Sequence, residues 1–125
     1  KPMNTGPQER AALQAETVYF DLDSSLIKSS EQPKLQRVAE YLTANPTHDI
    51  LIEGHCDERG TEGYNMSLGE RRALSAREYL ASIGAPVHRV YTTSYGESRP
   101  AVEGSGEAVW AKNRRVEFVV VLPAQ

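Results

Sequence analysis

The hydrophobic pattern of the chain switches between short β-like runs and two stretches of helical period. Thr17-Val18-Tyr19-Phe20 is β-branched and aromatic, which predicts a strand. The turn formers Asp21, Asp23, Ser24 and Ser25 follow and predict a polar loop. Leu35, Val38, Ala39 and Leu42 then recur at i, i+3, i+4 and i+7, one apolar face of a helix. Ser29 is its expected cap, with Gln32 as capping-box partner, Pro33 in the first turn and Asn45-Pro46 as the stop. Ile50 and Ile52 alternate within 49–54, but Leu51 is apolar too, which predicts a strand covered on much of both faces.

Gly60, Gly63 and Asn65 predict a loop, and a second helix is expected from about Ser67 to Ile83. On it Gly69, Ala73, Ala76, Leu80 and Ile83 share one side, small enough for close approach to a sheet, and Gly84 ends it. A third strand is expected over Val90–Tyr95, a long loop over Gly96–Lys112, and a last strand over Val116–Leu122. The order β-α-β-α-β-β predicts an α/β (α+β) sandwich, a mixed sheet with two main helices on one face. Residues 1–16, with Pro2, Gly6 and Pro7, read as a flexible lead-in or tether remnant, and 17–125 as one domain.

Composition narrows the function. A net charge of −3 offers no global basic field for nucleic acid or an anionic membrane, so any anion must be met by local geometry. The longest apolar run, Phe118 to Leu122, is too short to span a bilayer. No charged-then-apolar leader opens the chain, which suits the soluble part of a longer precursor. The single cysteine, Cys56, cannot form an internal disulfide.

Candidate chemistry gathers in two places. Gly54-His55-Cys56-Asp57-Glu58-Arg59-Gly60 stands at the end of the second predicted strand. Its His and Cys are adjacent and point to opposite faces, so the run is no metal site; Cys56 shares parity with Ile50 and Ile52 and is expected buried. His55 is expected as a hydrogen-bonded structural residue. Asp57 sits where the strand leaves the sheet, as a binding carboxylate or a turn former. On the second helix, Arg71 lies about 160° from the centre of the apolar face and Arg72 about 60°. Arg71 should therefore face solvent. Arg72 should sit at the border of core and water, suited to a carboxylate or to an internal ion pair with Asp57. Asn113-Arg114-Arg115 adds at most a positive rim, and Tyr91 and Tyr95 are expected to pack on the sheet.

These segments, in order, carry a resemblance. Val18-Tyr19-Phe20-Asp21-Leu22-Asp23-Ser24-Ser25, the run from Gly54 to Thr61, Tyr64-Asn65, Leu68-Gly69-Glu70-Arg71-Arg72-Ala73, Ser94-Tyr95-Gly96 and Asn113-Arg114-Arg115 resemble the motifs of the OmpA-like domain family. The wording Cys-Asp-Glu-Arg-Gly-Thr, with Leu-Gly before the helix arginines, is most similar to its lipid-anchored, peptidoglycan-associated members. The resemblance implies a non-catalytic module that grips the meso-diaminopimelate of the peptidoglycan stem peptide and needs no cofactor or metal. Asp57 and Arg72 would clamp the ligand, the loop at Leu22 and Asp23 would offer backbone N–H groups, and Arg59, Asn65 and Leu68 would line the pocket, with Arg114 beside them. Many relatives carry an aromatic where this chain has Leu22, so packing of that ring on the ligand is not expected here. TolB and TolA of the envelope Tol system are implied partners, and attachment to the outer membrane would need an anchor that this chain lacks. The competing readings are a Tol-system scaffold without wall binding and a wall hydrolase using His55, Cys56 or Asp57.

Overall fold

A computed structural model describes the whole chain, Lys1–Gln125. Five strands and three α-helices follow in the order β1 (Gln8–Glu9), β2 (Val18–Tyr19), α1 (Gln32–Ala44), β3 (Asp49–His55), α2 (Glu62–Ser82), β4 (Val90–Gly96), α3 (Glu107–Asn113) and β5 (Arg115–Val121). The sheet runs β1-β5-β3-β4, with β2 also pairing with β5. β3 and β4 are parallel, and all β5 pairings are antiparallel, so the sheet is mixed.

One side of that sheet carries the core. Ile50 and Ile52 of β3 and Val116, Phe118 and Val120 of β5 meet Leu35, Val38 and Leu42 of α1 and Ala73, Ala76 and Leu80 of α2 in one buried cluster. This is the expected sandwich with α1 and α2 on one face. The small residues of α2 matter because the helix lies directly on β3: a Cβ added to Gly54 would stand 1.8 Å from the carbonyl oxygen of Gly69. Gly54 is required by backbone-to-backbone contact, whereas a Cβ on Gly69 would collide with the Ser94 hydroxyl.

Several boundaries differ from expectation. α1 is entered through a 3₁₀ turn, Ser29–Glu31, and its cap residue Glu31 makes no side-chain capping bond, so Ser29 and Gln32 form no capping box. α2 begins five residues before Ser67, because Thr61 Oγ1 accepts the Tyr64 N–H at 3.1 Å and starts the helix through Gly63 and Asn65. That cap, with the burial of Asn65, outweighs the poor helix propensity of those two residues. α3 occupies part of the expected loop over 96–112.

Residues 1–16 lie against the sheet. Gln8 and Glu9 pair with β5, Leu13 joins the core cluster, and Lys1 Nζ reaches the buried carboxylate of Asp49 at 2.8 Å. Arg10 holds Glu53, on the helix-free face of β3, with two bonds of 2.8 and 2.7 Å. Burial pushes the Glu53 carboxyl up, but nearby His55 and the Arg10 fork outweigh it and bring it from 4.5 down to about 2. Its folded value lies below the ordinary one, so the stabilisation is present above pH 4.5 and is lost as pH falls towards 2. Arg10→Ala is expected to cost roughly 1–3 kcal/mol at neutral pH, since Arg10 is half exposed. Urea melts from pH 7 to 2.5 check this: the gap between variant and parent should close on the acid side.

Candidate functional site

The site is assembled where three elements end together. β2 delivers the loop 20–25, β3 delivers Asp57 two residues beyond His55, and the first turns of α2 deliver Asn65, Leu68 and Arg72. Leu22, Asp23, Cys56, Asp57, Arg59, Asn65, Leu68 and Arg72 line one narrow cleft, with free space of only about 10 Å³. Seven of the eight residues expected at a binding site are thereby brought together. The eighth, Arg114, stands behind the cleft: its Nε donates to the Phe20 carbonyl at 2.8 Å, and its Nη1 lies 3.7 Å from Asp57 Oδ2.

Arg72 departs most from expectation. It is buried, with 1% of its surface exposed, rather than at the border. Its Nε donates to the Ser24 carbonyl at 2.8 Å, Nη1 to that of His55 at 2.9 Å and Nη2 to that of Asp21 at 3.0 Å. Loop 20–25 folds over α2, so a position 60° from the apolar centre is covered. The arginine makes no ion pair with Asp57. It rivets the loop to the end of β3 through three of its five N–H groups. Arg71 is exposed, as its angle requires.

The riveted loop has an unusual backbone. Asp23 has φ of 55°, the left-handed region, and the Ser24 N–H turns back to the Asp21 carbonyl at 3.2 Å. The N–H groups of Leu22 and Asp23 have no partner within the chain. Leu22 and Asp23 line the cleft together with Arg72.

Asp57 supplies the opposite charge. It is 4% exposed, and its carboxylate accepts from the Arg59 backbone N–H at 3.0 Å, from Arg59 Nε at 3.1 Å and from Arg59 Nη2 at 2.8 Å. Burial alone pushes this carboxyl up, but the Arg59 bonds and the charges of Arg59 and Arg114 hold it below the ordinary carboxylate range. Asp57 is therefore ionised at neutral pH. Asn65 fixes the chain around it, donating from Nδ2 to the Arg59 carbonyl and to Glu97 Oε1, each at 2.9 Å.

The neighbouring residues lack catalytic geometry. Cys56 is buried as expected, donates from Sγ to the Asn65 carbonyl at 3.3 Å, and has its thiol pushed up by burial. His55 differs from expectation: its two ring nitrogens are buried without a hydrogen-bond partner, and the ring stacks on Tyr95 at 5.6 Å. Its ring lies on the helix-free face, away from Cys56, and burial pushes its pKa down.

One contact at the site was missed by reading the sequence. Trp110, on the unexpected α3, lies under the Arg59 guanidinium at 3.9 Å. The signal was the helix-forming run Glu107-Ala108-Val109-Trp110-Ala111 after Gly106, hidden by the two glycines and the proline before it.

With this geometry in view, the comparisons with known proteins are decisive. The OmpA family model matches residues 19–114. The chain belongs to the OmpA family. It is 47% identical over 103 residues to the peptidoglycan-associated lipoprotein of Brucella melitensis, covering 82% of this chain and 61% of that protein. It is 46% identical over 111 residues to that of Pseudomonas putida, covering 88% and 66%. The chain thus spans about three-fifths of the Brucella protein and about two-thirds of the Pseudomonas one. The crystal structure of the peptidoglycan-associated lipoprotein from Burkholderia pseudomallei superposes with a TM-score of 0.80 at 41% identity, over 83% of this chain and 88% of that one. The C-terminal domain of Helicobacter pylori MotB shares the fold, with a TM-score of 0.78 at 22% identity, over 86% and 85%. No helix of this OmpA-family domain is long and apolar enough to cross a membrane.

Proposed function

We propose that the domain binds peptidoglycan non-covalently, through the meso-diaminopimelate head of the stem peptide, and does no chemistry on it. One observation carries the reading: an ionised Asp57 shares a cleft with a buried arginine and with two residues whose backbone N–H groups have no partner. Diaminopimelate carries an ammonium and a carboxylate on one carbon. The ammonium takes the Asp57 carboxylate. The carboxylate takes the N–H groups of Leu22 and Asp23, with the fixed charge of Arg72 in the same cleft. Asn65 and Leu68 shape the walls, and Arg114 holds the strand behind Asp57. The relatives named peptidoglycan-associated lipoproteins support the same partner.

The reading extends to location. A wall-gripping domain of this family serves as a tether on the periplasmic side of the outer membrane, its anchor supplied by a segment ahead of this chain. A Tol-system partner such as TolB or TolA is a compatible second ligand. A hydrolase lacks support, since His55 and Cys56 form no nucleophile–base pair.

Sedimentation with purified sacculi tests this reading. The domain should pellet with the wall, and Asp57→Asn should weaken that association by roughly 10- to 150-fold, the worth of one charge-assisted hydrogen bond. Equal pelleting of both proteins removes Asp57 from the account.

A further inference from the structure

In the structure the acceptor for a ligand ammonium is already occupied. Both Asp57 oxygens are held by Arg59, at 3.1 and 2.8 Å from its side chain. The Arg59 guanidinium lies on the Trp110 ring at 3.9 Å. That ring is fixed in turn: Trp110 Nε1 donates to Glu58 Oε2 at 2.9 Å, and the same oxygen accepts from Ser105 Oγ at 2.6 Å. The two arginines lining the cleft therefore differ in kind. Arg72 is spent on three carbonyls that hold the fold, whereas Arg59 is partly exposed and fastened by one carboxylate and one ring face.

Asp57 already accepts three bonds from Arg59, which leaves about one of its four acceptor positions, so an incoming ammonium that takes more than one bond must displace Arg59. A bare amine breaks one ion pair and forms one, leaving Arg59 without its carboxylate. A head group carrying a carboxylate on the same carbon breaks one pair and forms two, because the released guanidinium takes that carboxylate on the side away from Leu22 and Asp23. A carboxylate accepts at about four lone-pair positions, so both sets of donors fit. We propose that Arg59 is an internal competitor for Asp57, and that this exchange makes the cleft select a zwitterionic amino-acid head over a simple amine. The inference rests on the wall-binding reading above and names what sets its specificity.

The test compares two soluble tripeptides that differ only in the third residue, meso-diaminopimelate or lysine. Calorimetry on the intact chain and on Arg59→Gln gives the preference of each. The intact chain should favour the diaminopimelate peptide, and in Arg59→Gln that preference should shrink by about 10- to 100-fold, mainly because the lysine peptide gains a free Asp57. Trp110 is the only tryptophan, so its emission reports whether Arg59 leaves the ring. Titration of the intact chain should change that emission in step with the heat of binding. Heat with unchanged emission, an unchanged preference in Arg59→Gln, or equal weakening of both peptides each overturns the competitor role alone. No heat from the intact chain with either peptide overturns the wall-binding reading, and the competitor with it.

Discussion

Arg72→Ala is expected to lower stability by about 3–5 kcal/mol, far more than a surface arginine on the same helix turn. The substitution removes the Arg72 donor from the carbonyls of Asp21, Ser24 and His55, of which Asp21 keeps the Ser24 N–H, and opens space beside Phe20, whose ring lies 5.3 Å from the guanidinium. The His55 carbonyl is the buried one, and leaving it unpaired costs about 1–3 kcal/mol; the loosened loop and the space beside Phe20 supply the rest. Arg72→Lys should recover only part of this, because a point ammonium cannot span three carbonyls that a planar fork reaches together. Arg71→Ala, one position away and exposed, should cost no more than about 0.5 kcal/mol. Urea denaturation of the three variants separates these cases. Binding should also be lost in the folded fraction of Arg72→Ala, since the loop bearing the Leu22 and Asp23 N–H groups loses its rivet. An Arg72→Ala protein of parental stability that fails only in binding would show instead that the guanidinium serves the ligand and not the fold.

Gly54→Ala is expected to destabilise the fold by more than about 4 kcal/mol. The new methyl would stand 1.8 Å from the Gly69 carbonyl oxygen and 2.5 Å from its carbon, both backbone atoms with no side chain to swing aside. Relief requires α2 to lift from β3, which would part Ala73, Ala76 and Leu80 from Ile50 and Ile52. Overpacking alone costs about 1–3 kcal/mol, and separation of a core helix adds enough to exceed about 4 kcal/mol, comparable to the whole stability of many domains. Gly63→Ala is the matched control. It lies on the same helix with nothing within 4 Å of the added methyl, and should stabilise by about 0.5–1 kcal/mol through helix propensity. Circular dichroism melts of the two variants should therefore shift in opposite directions.

The arginines explain much of what could and could not be read in the sequence. Hydrophobic period located the strands 49–55 and 90–96, both main helices and the face they share, because burial imposes that period directly. Arg72, Arg77, Arg89, Arg114 and Arg115 all donate to main-chain carbonyls, at strand ends, helix ends and loops. A carbonyl carries no side-chain signature, so the partners of these arginines are invisible in a string of letters. An angle of 60° on a helical wheel describes one helix against one sheet and omits the loop 20–25 that covers it. The same limit hid α3: its run is seven residues long, too short for a helical period to stand out behind Gly104 and Gly106. The start of α2 was misplaced because Gly63 and Asn65 have loop propensities, while the cap at Thr61 decides the boundary. Motif order pointed to Asp57, Leu22, Asp23, Arg59, Asn65 and Leu68, which the fold gathers around one cleft. What no motif gave was the internal pairing of Asp57 with Arg59 or its support on Trp110.

Titrating a meso-diaminopimelate tripeptide into the ¹⁵N-labelled domain tests the central assignment most directly. Asp57 and the loop over α2 should respond as one patch: the Leu22 and Asp23 amides shift downfield as their N–H groups gain an acceptor, and the Asp57, Arg59 and Asn65 amides move with them at the same midpoint. Shifts confined to another surface, or a saturating complex that leaves the Leu22 and Asp23 amides where they began, would contradict it.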